Sequence, residues 1–314
     1  MERHASLEDL PADARIVATV GAFDGLHRGH VALIGRLARE ARRRRAQAVV
    51  VTFEPHPAAV LRGEPPELLC DPSERDARLA ALGVDHLVVE PFDAALAAQS
   101  AEAFVGRLGG GRELVALLMT ATSAFGRGRG GTLASMRNLG AARGFDVVEV
   151  GQRRSGRAIV SSSRIREAVG AGRLSEAARL LGRPYAVTGT VVHGDGRGRG
   201  LGFPTANLAF DEPVCLPPNG IYAVRVSWGD DPMEPERHAD GVASLGVRPT
   251  FGVGARVLEV FLLDADEDLY GHRLRVVFIR RQRGERRYTS VDRLVVQMQR
   301  DVARARRLLA PSRA

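Results

Sequence analysis

The 314-residue chain contains no lysine, so all 45 of its basic residues are arginine. This absence excludes three ways of handling phosphates or carbonyl groups. A Walker A loop needs Gly-Lys-Ser/Thr, a protein kinase needs its strand lysine, and a pyridoxal Schiff base forms on a lysine amine. If this chain handles nucleotides, it must hold their phosphates with arginine, histidine, backbone amides or a metal ion.

Cysteine and long apolar runs are also scarce. The two cysteines, Cys70 and Cys215, are far apart and form no CxxC or metal-binding pattern, so we expect a reducing cytoplasm. No apolar run approaches the roughly 20 residues needed to cross a bilayer. The N-terminus lacks the apolar segment of a signal peptide, and we therefore expect no membrane association.

The chain carries a net charge of +8 and a sequence pI of about 10.6, which alone could suggest a nucleic-acid partner. However, arginine never deprotonates, so its exclusive use inflates the pI. Aromatic residues make up only 5% of the chain, too few for evident base-stacking platforms. We predict no nucleic-acid partner, and the sequence leaves homo-oligomerisation open.

The hydrophobic pattern changes half-way along the chain. The first half alternates buried strands with amphipathic helices, which predicts a parallel, doubly wound, Rossmann-like α/β sheet. After Pro184, short β-rich runs and turns predict a small antiparallel β-barrel with a C-terminal helix that Ser290 can cap. The runs are 185–193, 221–228, 241–247, 256–263 and 273–280. We predict two domains, residues 1–183 and 184–314.

Two segments of the first half favour phosphate binding. In GAFDGLHRGH (21–30), His27 and His30 open a helix whose N-terminal amides and dipole suit an anion, although two histidines near a turn can equally be structural. In SSSRIR (161–166), Ser residues are ordinary helix caps. Arg164 and Arg166 in a first helical turn, however, oppose the helix dipole unless an anion lies nearby.

The second half contains the most specific segment, HGDGRGRGLGFPTANL (193–208). Thr205 and Asn207 are two residues apart, so in an extended segment their oxygens face the same side. Such oxygens are hard ligands that suit Mg²⁺ bound to nucleotide phosphates. Glu259 interrupts the apolar run RVLEVFLL, which places this carboxylate either on a wet face or at a site of proton abstraction.

A glycine pattern in the first half is similar to a dinucleotide-binding fingerprint. Gly126, Gly128 and Gly131 form GxGxxG after a predicted strand, and Glu149 ends the next strand. The glycines begin about six residues beyond the strand, whereas the fingerprint needs them at its tip. We therefore disfavour a dehydrogenase.

Taken together, these segments resemble the bacterial bifunctional riboflavin kinase/FMN adenylyltransferase family over about residues 16–305. The first-half segments that carry the resemblance are FDGLHRGH, VVTFEPHP (50–57) and SSSRIRE (161–167). Those of the second half are HGDGRGRGLGFPTANL, GIYAV (220–224), GVASLGVRPTFG (241–252), LEVFLLDADEDLYG (258–271) and RGERRY (283–288).

The resemblance implies two ATP-dependent reactions that use Mg²⁺: phosphorylation of riboflavin to FMN, then adenylylation of FMN to FAD with release of pyrophosphate. One segment departs from the family pattern, because MTATSAFG (119–126) places Thr122, Ser123 and Ala124 where the family has a polar residue, Phe and Arg. This departure leaves two alternatives open. The chain could be a riboflavin kinase with a degenerate first half, or a flavin- or nucleotide-binding regulator without turnover.

The resemblance also implies roles for individual residues. Glu259 matches the general base for the ribityl hydroxyl, His27 and His30 match the nucleotidyl-transfer histidines, and Thr205 and Asn207 match the Mg²⁺ ligands. Nucleotide or phosphate contacts are expected from Gly21, Phe23, Asp24, Gly25, Ser161, Ser162, Ser163, Arg164, Arg166, Gly194, Gly202, Phe203, Pro204, Thr205 and Asn207. Flavin contacts are expected from Phe53, Pro55, His56, Pro57, Phe125, Arg283 and Glu285.

Overall fold

The structure is a computed structural model that describes residues 1–194, 197–229, 235–247, 256–265 and 267–310. The chain forms two compact units. The first contains residues 1–66 and 72–162, and the second contains 67–71 and 163–314. The sequence predicts two functional domains, residues 1–183 and 184–314, and that division stays a prediction.

A six-stranded sheet organises the first unit. Its strands are ordered β1-β4-β3-β2-β5-β8, and every neighbouring pair is parallel, which confirms the predicted architecture. The strands of this unit, including two short hairpins, are β1 (Glu2–His4), β2 (Arg15–Val20), β3 (Gln47–Glu54), β4 (His86–Pro91), β5 (Glu113–Met119), β6 (Ala124–Phe125), β7 (Gly131–Thr132), β8 (Asp146–Glu149), β9 (Arg154–Ser155) and β10 (Ala158–Ile159).

Apolar side chains are buried on both faces of this sheet. Successive residues of a strand point to opposite faces, and in β3 Val49 and Val51 join one apolar cluster while Ala48 and Val50 join another. Continuous apolar strands of this kind are typical of parallel sheets that helices cover on both sides. The helices up to this point are α1 (Arg28–Arg44), α2 (Pro57–Arg62), α3 (Pro72–Ala81), α4 (Ala94–Ala98), α5 (Ala101–Gly109) and α6 (Leu133–Arg143).

A closed antiparallel barrel organises the second unit, as the short β-rich runs predict. Its order is β11-β12-β15-β14-β13-β16. The sequence pattern identifies five of these strands, and the sixth, β12, is the extended segment that holds Thr205 and Asn207. The elements of this part are α7 (Ser162–Gly170), α8 (Leu174–Leu181), β11 (Ala186–Val192), α9 (Arg197–Gly200), β12 (Thr205–Ala209), β13 (Gly220–Trp228), β14 (Arg237–Val247), β15 (Arg256–Leu262), β16 (Arg273–Arg283) and α10 (Val291–Leu309).

Two further contacts complete the second unit. Helix α10 begins at the predicted cap, where Ser290 Oγ accepts from the amide of Arg293, and Ala305 and Leu309 pack into an apolar cluster with strand residues. Residues 67–71 join this unit because Leu68 forms a parallel bridge with Val214. None of the helices that the structure describes is long and apolar enough to span a membrane.

Candidate active sites

The turn after β2 has an unusual backbone that shapes the first candidate site. Phe23 and Leu26 have φ angles of 50° and 36°, and Gly25 has a φ of 76°. Such left-handed conformations cost little for glycine but of the order of 1–3 kcal/mol for other residues, and they are common at functional sites. Ser162 Oγ donates to the carbonyl of Asp24 at 3.0 Å, which brings part of the serine run to this turn.

His27 caps α1 rather than lying inside it. Helix α1 begins at Arg28, and His27 Nδ1 accepts from the amides of Gly29 and His30, each at 3.2 Å. His27 therefore opens the helix as its N-cap, and its side chain pairs with two of the first amides of α1. A Cβ on Gly29 would lie 3.0 Å from the His27 ring, so a larger residue at this position would press on that ring.

The two histidines form a stacked pair. Their ring centroids are 3.6 Å apart with an interplanar angle of 16°, and the Phe23 ring lies edge-on to His30. Desolvation, with a smaller contribution from His27, holds the pKa of His30 well below its ordinary value. Among the described residues, the buried Nδ1 of His30 has no hydrogen-bond partner. Because Nδ1 of His27 is an acceptor, its neutral ring carries the proton on Nε2 and can donate it.

Four phenylalanines line an apolar pocket of about 210 Å³ in the first unit. Phe53 and Phe125, both expected to contact flavin, meet there, and Phe92 and Phe104 complete the aromatic wall with ring centroids 5.3–6.2 Å apart. The sequence analysis missed Phe92 and Phe104. No local signal separates them from core residues, because only the fold brings their helices and loops to Phe53.

Side chains of the departing segment 119–126 form hydrogen bonds within the segment and with Gln152. Thr122 Oγ1 pairs with the side-chain amide of Gln152 at 2.6 Å, and the hydroxyls of Ser123 and Thr120 lie 2.9 Å apart. The segment then enters the β6–β7 hairpin, which places Phe125 in the aromatic pocket. Phe125 therefore lines the pocket in a chain that has Thr122, Ser123 and Ala124 before it.

The GxGxxG glycines serve packing and the pocket. A Cβ on Gly126 would lie 2.5 Å from the amide nitrogen of Ala101, and one on Gly131 would lie 2.7 Å from the Ala101 Cβ. Gly126 and Gly128 also line the aromatic pocket. Gly126 and Gly131 need glycine for close contact with Ala101 of α5, and Gly128 has a positive φ of 60°, which together account for the pattern without a dinucleotide.

The second candidate site lies on adjacent barrel strands. Asn207 of β12 pairs directly with Glu259 of β15, and Thr205 pairs with Phe261. Direct cross-strand partners share a face of the sheet, so Thr205, Asn207 and Glu259 face the same side, as the two-residue spacing predicts for the first two. The Thr205 hydroxyl donates to Glu259 Oε2 at 3.5 Å. By alternation, Leu258 and Val260 point to the opposite face and are fully buried.

The oxygens of this group fit a hard divalent cation. Asn207 is 7% exposed, and its buried Oδ1 has no hydrogen-bond partner among the described residues. An unpaired buried amide oxygen costs about 1–3 kcal/mol, so its retention favours a ligand-binding role. Gly194 leaves space for this side chain, because a Cβ there would lie 2.2 Å from Asn207 Nδ2.

A cavity of about 620 Å³ opens beside Thr205. Pro204 and Thr205 form part of its wall, and Glu267, Asp268 and Tyr270 lie along it. Gly202 has a φ of +83°, and the ring centroids of Phe203 and Phe261 are 5.3 Å apart. Within the predicted segments, Asp195 and Gly196, as well as residues 248–252, lie outside the described residues.

Other expected site residues have structural partners. Arg283 Nε donates to both carboxylate oxygens of the buried Asp301 at 3.0 Å. Desolvation lowers the pKa of Arg283, but the hydrogen bond and the charge of Asp301, with a contribution from Tyr288, together raise it above its ordinary value. Glu285 accepts from Asn219 Nδ2 at 3.2 Å. His56 caps α2, with Pro57 in its first turn and Pro55 in a cis peptide bond with Glu54.

The arginines of SSSRIR lie in the second unit, where each has a partner of its own. Arg164 pairs with Glu176 at 3.0 Å, and Arg166 Nε donates to the carbonyl of Glu67 at 2.7 Å. Their predicted phosphate contacts therefore stay a prediction from the sequence.

Comparison with known proteins identifies both halves. A family model described as FAD synthetase matches residues 10–164, and one described as riboflavin kinase matches residues 181–309. A protein of Escherichia coli strain K12 is 38% identical, covering 92% of this chain and 91% of its own, and one of Pseudomonas fluorescens is 38% identical over 96% of both; each is named bifunctional riboflavin kinase/FMN adenylyltransferase. The chain belongs to this family.

One solved structure resembles this chain along almost its whole length. It is 29% identical, has a TM-score of 0.84 and covers 97% of this chain and 98% of its own; its title describes a macrolide-efflux protein from Streptococcus pneumoniae. The structural match includes both halves of the chain.

Proposed function

We propose that the chain converts riboflavin to FMN and FMN to FAD, with ATP as co-substrate of both reactions. The observation that carries the first reaction is the shared face of Thr205, Asn207 and Glu259, with the unpaired Asn207 oxygen among them. The stacked histidine pair and the aromatic pocket support the second reaction.

In the barrel, Glu259 acts as the general base. Its carboxylate accepts the proton of the 5′-hydroxyl of riboflavin as that oxygen attacks the terminal phosphate of ATP, and ADP leaves with the bridging oxygen. Thr205 Oγ1 and Asn207 Oδ1 would hold Mg²⁺, which would neutralise the phosphate charge when bound. The Thr205 hydroxyl also donates to Glu259, which orients the carboxylate on the face that carries the metal ligands.

In the first unit, adenylyl transfer needs positioning and charge stabilisation but no protein nucleophile. A phosphate oxygen of FMN attacks the α-phosphate of ATP, and pyrophosphate leaves. His27 donates a hydrogen bond from Nε2–H to the α-phosphate as negative charge builds, and neutral His30 supports the ring by stacking. The pocket of Phe53, Phe92, Phe104 and Phe125 takes the flavin ring system, because planar aromatic rings pack well against such walls.

The kinase-only alternative receives no support. The FAD synthetase model matches residues 10–164, which include the departing segment 119–126. The substituted side chains Thr122 and Ser123 are hydrogen-bonded within the first unit, and Phe125 still reaches the pocket. A regulator without turnover would have no need of Glu259 beside two metal-ligating oxygens.

An end-point assay tests both activities together. Purified protein with riboflavin, ATP and Mg²⁺ should form FMN first and FAD later, separated by chromatography. Omission of Mg²⁺ should suppress both products. Accumulation of FMN without FAD would show that the chain is a riboflavin kinase only. The absence of FMN would overturn the proposal.

Two fragments test which part of the chain is the kinase. We expect residues 184–314 to phosphorylate riboflavin alone, as the sequence predicts, and residues 163–314 to do so with a higher melting temperature. The longer fragment retains α7 and α8, and α7 contributes the Arg166 carbonyl that accepts from Cys215 Sγ at 3.8 Å. Activity in neither fragment, with the full chain active, would contradict the domain division.

The remaining proposals concern the surroundings of the enzyme. We expect it to act in the cytoplasm, where riboflavin and ATP meet, and to need no nucleic-acid partner. The sequence leaves homo-oligomerisation open, and sedimentation of the purified chain would determine it.

A further inference from the structure

The edge of the parallel sheet carries a cluster of metal-binding side chains that neither proposed reaction uses. Strands β1 and β4 pair in parallel at this edge, with Glu2 opposite His86 and His4 two residues further along β1. Alternation puts Glu2 and His4 on one face of the strand and Arg3 on the other. Arg3 accordingly contacts Asp76 and Glu54, away from the cluster.

The three potential donor atoms lie at distances suited to one small ion. His4 Nε2 is 3.0 Å from His86 Nδ1, and Glu2 Oε2 is 3.4 Å from His86 Nδ1 and 3.9 Å from His4 Nε2. A tetrahedral zinc ion with bonds of 2.0–2.1 Å separates its ligand atoms by about 3.3 Å. The observed separations bracket this value, so small side-chain adjustments would bring all three atoms onto one ion.

Burial and charge favour ligation over simple hydrogen bonding. The side chains of His86 and His4 are 5% and 12% exposed, while that of Glu2 is 71% exposed and leaves the cluster open to solvent on one side. A single hydrogen bond joins the two rings, whereas a cation would engage both rings and the carboxylate.

We propose that Glu2, His4 and His86 bind one divalent transition-metal ion, with water as the fourth ligand. Two imidazole nitrogens and one carboxylate oxygen are donors that zinc accepts in a tetrahedral site. The ion would tie β1 to β4. Strand β1 has only three residues and lies at the sheet edge, where few backbone bonds hold it.

Metal binding by the full chain, produced without a histidine tag, tests this site. Equilibrium dialysis against Zn²⁺ should give one ion per chain, and Co²⁺ should give the intense visible absorption of a tetrahedral complex. Glu2→Gln and His4→Gln should each weaken Zn²⁺ binding at least about tenfold, since loss of even an outer-shell partner costs 10–100-fold. His238→Gln, a matched change at an exposed histidine of β14, should leave binding unchanged.

Hydrogen exchange provides the second measurement. Zn²⁺ should slow exchange at the amides of residues 2–4 in the unaltered protein but not in Glu2→Gln or His4→Gln. Both altered side chains lie on the short edge strand. If a variant lost Zn²⁺ binding because the first unit unfolds, exchange would be faster at amides throughout the sheet and not only at residues 2–4. Equal Zn²⁺ affinity in the unaltered protein and both variants, or an equal loss in His238→Gln, would overturn the proposal.

Discussion

Glu259→Gln should slow riboflavin phosphorylation by about 10²–10⁴-fold, the usual contribution of a general base. Glutamine has nearly the same shape as glutamate and can still accept from the Thr205 hydroxyl, which lies 3.5 Å from Glu259 Oε2. It cannot accept the proton of the attacking hydroxyl. The loss should therefore fall on kcat, with a small change in KM for riboflavin.

The same preparation provides the internal control for Glu259→Gln. When FMN is supplied, FAD formation should proceed at the unaltered rate, because Glu259 belongs to the barrel and the histidine pair to the first unit. Glu212→Gln makes the same charge change at an exposed loop position and should leave both reactions unchanged. A decrease of less than tenfold in FMN formation, or an equal decrease in FAD formation, would contradict the role of Glu259.

One part of the barrel site, the pair Thr205 and Asn207, could be predicted from the sequence because its geometry is local. Thr205 and Asn207 share a face through strand periodicity alone, and that relation holds in β12. Their pairing with Glu259 could not be derived, because strand neighbours in a barrel depend on register between distant segments. The sequence shows Glu259 only as a carboxylate in an apolar strand, and the barrel register shows that it lies opposite Asn207.

Other features of the fold had no local signal. Strand β1 consists of three polar or charged residues without alternation, and it forms because β4 presents a free edge. Residues 67–71 join the second unit through the bridge between Leu68 and Val214, a contact between segments that no periodic pattern connects. His27 illustrates a finer limit, because a histidine before a helix can be either a cap or a first-turn residue.

His27→Ala and His27→Asn should each reduce FAD formation by about 10²–10³-fold, the usual cost of removing one donor that stabilises transition-state charge. Riboflavin phosphorylation should remain unchanged in both variants. The two substitutions differ in their effect on the fold. Alanine removes the acceptor for the amides of Gly29 and His30 and costs about 1 kcal/mol of helix capping, whereas asparagine is among the best N-cap residues.

This pair of variants separates the catalytic role of His27 from its capping role. Hydrogen exchange at the amides of Gly29 and His30 should accelerate in His27→Ala and stay slow in His27→Asn, because only asparagine can accept from those amides. FAD formation, measured from supplied FMN, ATP and Mg²⁺, should nevertheless be lost in both. If His27→Asn kept both FAD formation and amide protection, the imidazole would serve only as a helix cap. Because His27 caps the helix through Nδ1, loss of activity in a properly capped helix would locate the chemistry on Nε2 of the same ring.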